Sequence, residues 1–213
     1  MQYMDSGKDS MIEKSLRFFK PNRLLRELSL LLGFEQNPAM SQHDIAKTAG
    51  ISSSMAHNYV KYFVEEGLIT VEGETNRTMQ YLVTAAGKDR THDLLARYFE
   101  EVVHLYALAK KEFERKLWNL YCQGVRSAVL FGAAATGELV YNAARHTPIR
   151  IIGIVDNDVS KQHQKFGELE VLSPTVIESL QPDGVIISAF GRPQEIYAEI
   201  QHLQDKGIAV IRL

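Results

Sequence analysis

Two stretches of this sequence hold residue types in patterns that chemistry can use. The first is Gly132-Ala133-Ala134-Ala135-Thr136-Gly137, directly after the apolar run Ser127-Ala128-Val129-Leu130-Phe131. A dinucleotide-binding turn wants glycine at its first, third and sixth places, and here these are Gly132, Ala134 and Gly137. The first glycine permits the tight turn and the last lets helix and strand pack closely. The middle one lets a pyrophosphate approach the backbone, and Ala134 adds a methyl group at that place. Thr136 would offer a hydroxyl to a phosphate at the helix N-terminus. Asp156 follows Gly137 by nineteen residues, at the end of a second apolar run from Ile151 to Val155. That is the place of the acid that holds a ribose hydroxyl.

The second stretch is Ser53 to Glu66, where Ala56, Val60 and Phe63 fall on one helix face. The other face collects Ser54, Met55, His57, Asn58, Lys61 and Tyr62. Asparagine pairs bidentately with adenine, while hydroxyls and lysine suit phosphates. The helix carries no arginine and ends in Glu65 and Glu66, which argues against strong guanine readout. The seven histidines, at 43, 57, 92, 104, 146, 163 and 202, have neither metal-ligand spacing nor a nucleophile partner. His163, between Lys161 and Lys165, reads as a solvated loop. Ser188 lacks the glycine pattern of a nucleophile elbow. The single cysteine, Cys122, excludes an internal disulfide and a cysteine-cluster metal site. No metal site and no catalytic set are expected.

The surrounding elements can be read from pattern. Asn22 caps a leucine-rich helix expected to stop at Gly33. Ser41 and Asp44 have the spacing of a capping box, followed by Ile45, Ala46 and Ala49 and a helix-ending Gly50. Ser52-Ser53-Ser54 offers caps for the next helix, which Gly67 ends. Leu68 to Val71 and Met79 to Val83, separated by a polar loop, form a β-hairpin. From Lys88 to about Cys122 neither proline nor glycine occurs, giving a helix of about 50 Å at about 1.5 Å per residue. Leu95, Phe99, Val102, Tyr106, Ala109, Phe113, Lys116 and Leu120 make a seam along it, which predicts a homodimer through residues 95–120. The last third alternates strands (127–131, 151–155, 169–171, 185–189, 209–213) with helices, which predicts a five-stranded parallel sheet of Rossmann type.

SQHDIAKTAGIS followed by SSMAHNYVKYFVEEGLI resembles the helix-turn-helix of winged-helix bacterial regulators. The VTAAG after the hairpin is similar to the wing-to-helix junction of the MarR-like group. The resemblance, spanning Asn22 to Gly87, implies a recognition helix in the major groove, with Ser53, Ser54, His57, Asn58 and Lys61 facing DNA and Arg77 at the wing tip. A winged helix followed by a Rossmann-like domain resembles the Rex family of NADH-sensing repressors, although this chain ends at the fifth strand, where that family continues into a helix. The segment from Ala128 to Leu213 also resembles the small N-terminal domains of sugar acyltransferases and polysaccharide-biosynthesis dehydratases. That similarity implies a crevice lined by Gly132, Ala133, Ala134, Thr136, Gly137, Asp156 and Asn157, with Ser188 and Phe190 at the end of the fourth strand. The implied ligand is a nucleotide, NAD(H) or a nucleotide sugar.

Composition sets the outer bounds. Apolar residues make up 45% and charged residues 23%, ordinary for a globular protein, and the net charge of −2 offers no bulk attraction for DNA. Residues 1–90 hold eleven basic and eleven acidic side chains, so a DNA surface must come from local arrangement. No apolar run approaches the roughly 20 residues of a membrane span, and the N-terminus has no export signal, which predicts a cytoplasmic protein. The expected division is an extension (1–21), a winged helix (22–87), a connecting and dimerising helix (88–124) and a nucleotide-binding-type domain (125–213). The expected function is a DNA-binding transcriptional regulator that senses a nucleotide-type ligand. The alternatives are a nucleotide-sugar-processing enzyme, or a scaffold, that uses the winged helix for assembly.

Overall fold

The computed structural model describes residues 21–75 and 78–213, in two compact units that divide between Val102 and Val103. In the first unit, helices α1 (Arg23–Gln36), α2 (Gln42–Ala49) and α3 (Ser53–Glu65) precede an antiparallel hairpin, β1 (Ile69–Glu72) and β2 (Gln80–Val83). This is a winged helix. Each helix begins at a polar cap: Asn22, Ser41 and Ser52 accept from the backbone N–H of Leu25, Asp44 and Met55. The reciprocal half of the expected capping box is replaced. Asp44 takes the Ser41 hydroxyl at 2.7 Å, because its side chain is one methylene shorter than the glutamate that reaches back to the cap N–H.

The helix α1 runs through Gly33 instead of stopping there. Phe34, fully buried, stacks on Tyr81 at 5.0 Å and continues the apolar face by another turn. Gly33 serves close packing, since a β-carbon there would lie 3.2 Å from the Met40 sulfur. Leu28, Leu31, Phe34, Ile45, Ala49, Ala56, Phe63, Ile69, Tyr81 and Leu94 form one core. Beneath it, buried Glu27 receives Arg90 Nε at 2.6 Å and Nη2 at 3.2 Å.

The long helix α4 covers Ala85–Cys122, starting three residues earlier than expected. Gly87 lies inside it, where a β-carbon would meet the Leu68 carbonyl oxygen at 2.1 Å, so only glycine lets the helix start against the wing. The expected seam is not one surface. Leu95 is half-buried against the first core, whereas Phe113 is buried and Ala109 and Leu120 are half-buried in the second unit. Phe99, Val102 and Tyr106 stay exposed, joined by Val103 at 66% exposure.

In the second unit, β3 (Ser127–Phe131), α5 (Ala135–Ala144), β4 (Arg150–Val155), β5 (Lys165–Phe166), β6 (Leu169–Leu172), α6 (Ile177–Leu180), β7 (Gly184–Ile187), α7 (Pro193–Ile200) and β8 (Ala209–Arg212) build a sheet of order β5-β6-β4-β3-β7-β8. Five strands are parallel, and the sheet has six in all. The short β5, which the loop-like sequence around His163 concealed, pairs antiparallel with β6 at the edge. Alternate residues serve opposite faces. Ala128, Leu130, Ile154 and Ile186 pack with α5 and with Phe113 and Leu117 of α4. Val129, Phe131, Val155, Val185 and Ile187 pack with α6 and α7. The distal part of α4 is therefore a layer of this domain.

Candidate DNA-reading face and ligand crevice

On α3 the sequence pattern becomes geometry. Ala56 and Phe63 are buried, and Val60 is half-buried against the same core. On the opposite side Ser53, Ser54, His57, Asn58 and Lys61 are all exposed, so the five expected reading residues share one solvent-facing side. Arg77 lies outside the described residues. Lys61 is not an isolated cation, because Glu65 sits 3.7 Å away one turn along. Beside this face is a space of about 230 Å³ lined by Met55, Asn58, Tyr59 and Tyr62 of α3 and by Arg23 of α1. Sequence reading did not single out Arg23, which precedes the leucine run and lies thirty-nine residues before Tyr62.

In the second unit, the order β6-β4-β3-β7-β8 puts the reversal of strand progression between β3 and β7. A ligand crevice of an open α/β sheet lies outside the carboxyl ends of the strands at such a point. There the chain leaves Phe131 through Gly132, whose φ of +121° few other residues adopt. A β-carbon on Gly132 would come within 2.8 Å of Ala189. Gly137 packs on the same turn, with its own would-be β-carbon 2.1 Å from the Gly132 oxygen. The first and third glycines of the fingerprint thus have the steric reasons that the pattern assigns them. Ala134 is the N-cap of α5 and is exposed. It offers no side-chain cap, which leaves the first N–H groups of the helix without that partner. Ala133 and Thr136 are half-buried beside it.

Asp156 is buried and intensively used. One carboxylate oxygen accepts from Ala133 N at 2.8 Å and Lys161 Nζ at 3.1 Å, and the other accepts from Asp158 N at 2.9 Å. Burial pushes this carboxyl upward, but the amides of Asp158 and Ala133 and the Lys161 ammonium outweigh it and hold it below the ordinary aspartate value. A carboxylate offers about four lone-pair sites. With three occupied by described protein donors, Asp156 clamps the Gly132 turn and keeps about one acceptor site. Lys161, expected in a solvated loop, instead lies at the crevice acid, a pairing that the two residues' separation along the chain did not disclose.

Asn157 is exposed and donates to Glu199 Oε2 at 2.7 Å. Ser188 differs from the crevice-lining position expected of it. It is 1% exposed, and its hydroxyl lies 3.0 Å from both the Phe131 and Gly132 carbonyl oxygens, tying β7 to the turn. Phe190 is exposed and packs against Phe113 of α4 at 5.8 Å between ring centroids. Among the described residues no group of three or more His, Cys, Asp or Glu side chains is placed to hold a metal ion. No described helix is long and apolar enough to cross a membrane.

Residues 25–70 match the family described as winged helix-turn-helix DNA-binding, and residues 125–209 match the family described as C2185-like, N-terminal. No curated protein matches the chain. Three solved structures share parts of the fold at low identity. UDP-D-quinovosamine 4-dehydrogenase from Vibrio fischeri is 17% identical over 42% of this chain and 79% of its own, with a TM-score of 0.38. The Rex-family repressor RSP, solved with β-NADH, is 15% identical over 90% of this chain and 76% of its own, at 0.37. MepR, a transcription regulator of a Staphylococcus aureus multidrug efflux pump, is 19% identical over 46% of this chain and 75% of its own, at 0.35. Helix α4 runs from the winged helix-turn-helix into the Rossmann-like sheet as one continuous element.

Proposed function

We propose that this protein is a homodimeric transcriptional regulator whose Rossmann-like domain senses a nucleotide-type ligand. One observation carries the DNA half: Ser53, Ser54, His57, Asn58 and Lys61 are exposed on the side of α3 opposite a buried apolar anchor. A helix held that way can enter a major groove with its polar side against base edges. Asn58 is assigned to base reading, Ser53, Ser54 and His57 to adjoining contacts, Lys61 to phosphate and Arg77 to the wing contact.

The dimer reading rests on the exposed stripe Phe99, Val102, Val103 and Tyr106, two turns of apolar side chains along one face of α4. A second copy covering this stripe would bring two recognition helices onto one duplex. The ligand reading rests on the Gly132–Gly137 turn at the strand switch point and on the uncapped start of α5, which suits a phosphate. In this reading Gly132, Ala133, Ala134, Thr136 and Gly137 cradle the phosphate, and Asp156 takes one hydroxyl. Asn157 and Phe190 border the crevice, with Ser188 bracing it from inside. Because Phe190 touches Phe113, a ligand that prefers one position of the 188–192 segment also biases α4. The reading is of a regulator and not of an enzyme.

Two experiments test this. DNA affinity measured with and without NAD+, NADH and nucleotide sugars changes several-fold for the sensed ligand, and unchanged affinity with every one of them removes the sensing half. Asn58→Ala weakens binding to a selected site roughly tenfold or more while sparing nonspecific duplex, whereas Lys61→Ala weakens both. Parallel losses on the two duplexes for both variants would contradict this division of labour.

A further inference from the structure

We infer that Arg23, carried by α1 and not by the recognition helix, grips a backbone phosphate beside Asn58; this rests on the reading of α3 as the DNA-entering helix. The recognition face is short of positive charge. Lys61 is its only cation, Glu65 lies 3.7 Å from it, and Glu66 follows. Phosphate neutralisation is a principal source of duplex affinity, so a face this neutral needs charge from elsewhere.

The fold supplies it from α1. The Arg23 guanidinium lies 5.2 Å from the centre of the Tyr62 ring, a cation–π contact that holds it beside α3. It closes one side of the 230 Å³ space whose other walls are Met55, Asn58, Tyr59 and Tyr62. These four residues follow the i, i+3, i+4, i+7 rule and make one flank of the helix, with Asn58 shared between flank and reading face. Arg23 is exposed and has no acidic partner among the described residues.

Groove dimensions turn this placement into a contact. A helix with its side chains is about 10–12 Å across, and the major groove is about 12 Å wide. An inserted α3 therefore meets a sugar-phosphate wall along each flank. On the Met55–Tyr62 flank, Arg23 is the cation within reach. A guanidinium resting on an aromatic face keeps its edge N–H groups free, and those are the groups that bind a phosphate bidentately.

The test uses the full-length chain and a random-sequence duplex, because a phosphate contact is indifferent to sequence. Binding is followed by anisotropy between about 50 and 200 mM salt. Arg23→Ala lowers the slope of log K against log salt by about one and weakens low-salt binding about tenfold, with an unchanged melting temperature. Arg23→Lys keeps the wild-type slope, which counts charges, but binds more weakly than wild type because an ammonium makes no bidentate contact. Arg97→Ala, at an exposed position on α4, shifts the slope far less. A wild-type slope for Arg23→Ala, an equal drop for Arg97→Ala, or an Arg23→Lys protein whose slope falls to that of the alanine variant would overturn the inference. Absence of any duplex binding by the wild-type chain would remove the regulator reading itself, and this contact with it.

Discussion

Arg90→Ala is expected to cost the winged-helix unit about 3–5 kcal/mol, the usual effect of removing one partner from a buried ion pair. Glu27 is 1% exposed, and both its carboxylate oxygens are met by the Arg90 guanidinium. Without Arg90 the buried carboxylate loses its partner, and water can approach it only through the space that the 29%-exposed Arg90 side chain vacates. Since whole domains are stable by only about 5–15 kcal/mol, the loss is a large share of what holds this unit folded. Glu27→Gln in the same chain should recover part of it, because a neutral amide is cheaper to bury than an unpaired charge. Urea denaturation followed by circular dichroism reads both effects. A single Arg90→Ala variant within about 1 kcal/mol of wild type would show that Glu27 is solvated or differently paired.

Gly137→Ala should have the largest effect in the Rossmann-like unit, lowering its stability by about 1–3 kcal/mol or more and abolishing the ligand binding proposed for the turn. The new methyl group would sit 2.1 Å from the Gly132 carbonyl oxygen and 3.3 Å from the Phe166 ring. The Gly132 oxygen cannot yield cheaply. Its own N–H is bonded to the Val155 carbonyl at 2.8 Å, and the buried Ser188 hydroxyl lies 3.0 Å from that oxygen. The strain must therefore move α5 away from β3. Gly191→Ala, where an added β-carbon meets nothing within 4 Å, is the matched control and should be near neutral. Equal denaturation midpoints for the two variants would contradict the steric role assigned to Gly137.

Much of the fold was legible because local physics and packing agree in this chain. The caps at Asn22, Ser41 and Ser52, the 3.6-residue period of α3 and the five apolar strands each carry their own signal, and the structure follows them. Glycine misled where its reason was tertiary. Gly33 and Gly87 read as helix boundaries, yet both lie inside helices because Met40 and the Leu68 carbonyl press on them. The seam on α4 misled for a related reason. Its steps of three and four are those of any amphipathic helix, and periodicity does not say whether Phe113 meets a second copy or its own sheet.

The exposed polar side of α3 was legible because it lies on one helix, and helical spacing is visible in sequence. The crevice was legible only in outline. Gly132, Gly137 and Asp156 fit a known spacing, but the carboxylate's three protein donors, the inward turn of Ser188 and the approach of Lys161 depend on residues brought together by the loop after β4. Arg23 escaped for the same reason, since nothing in the order of residues joins the start of α1 to the ring of Tyr62.

The central claim is that the exposed side of α3 reads duplex DNA. Selection of bound duplexes from a random-sequence pool, using the intact chain, tests it most directly. The expected result is a pseudo-palindromic motif whose half-sites are centred about 10 base pairs, or about 34–36 Å, apart or at a multiple of that distance. A pool that remains random after repeated selection, with no duplex retained at low salt, would contradict it.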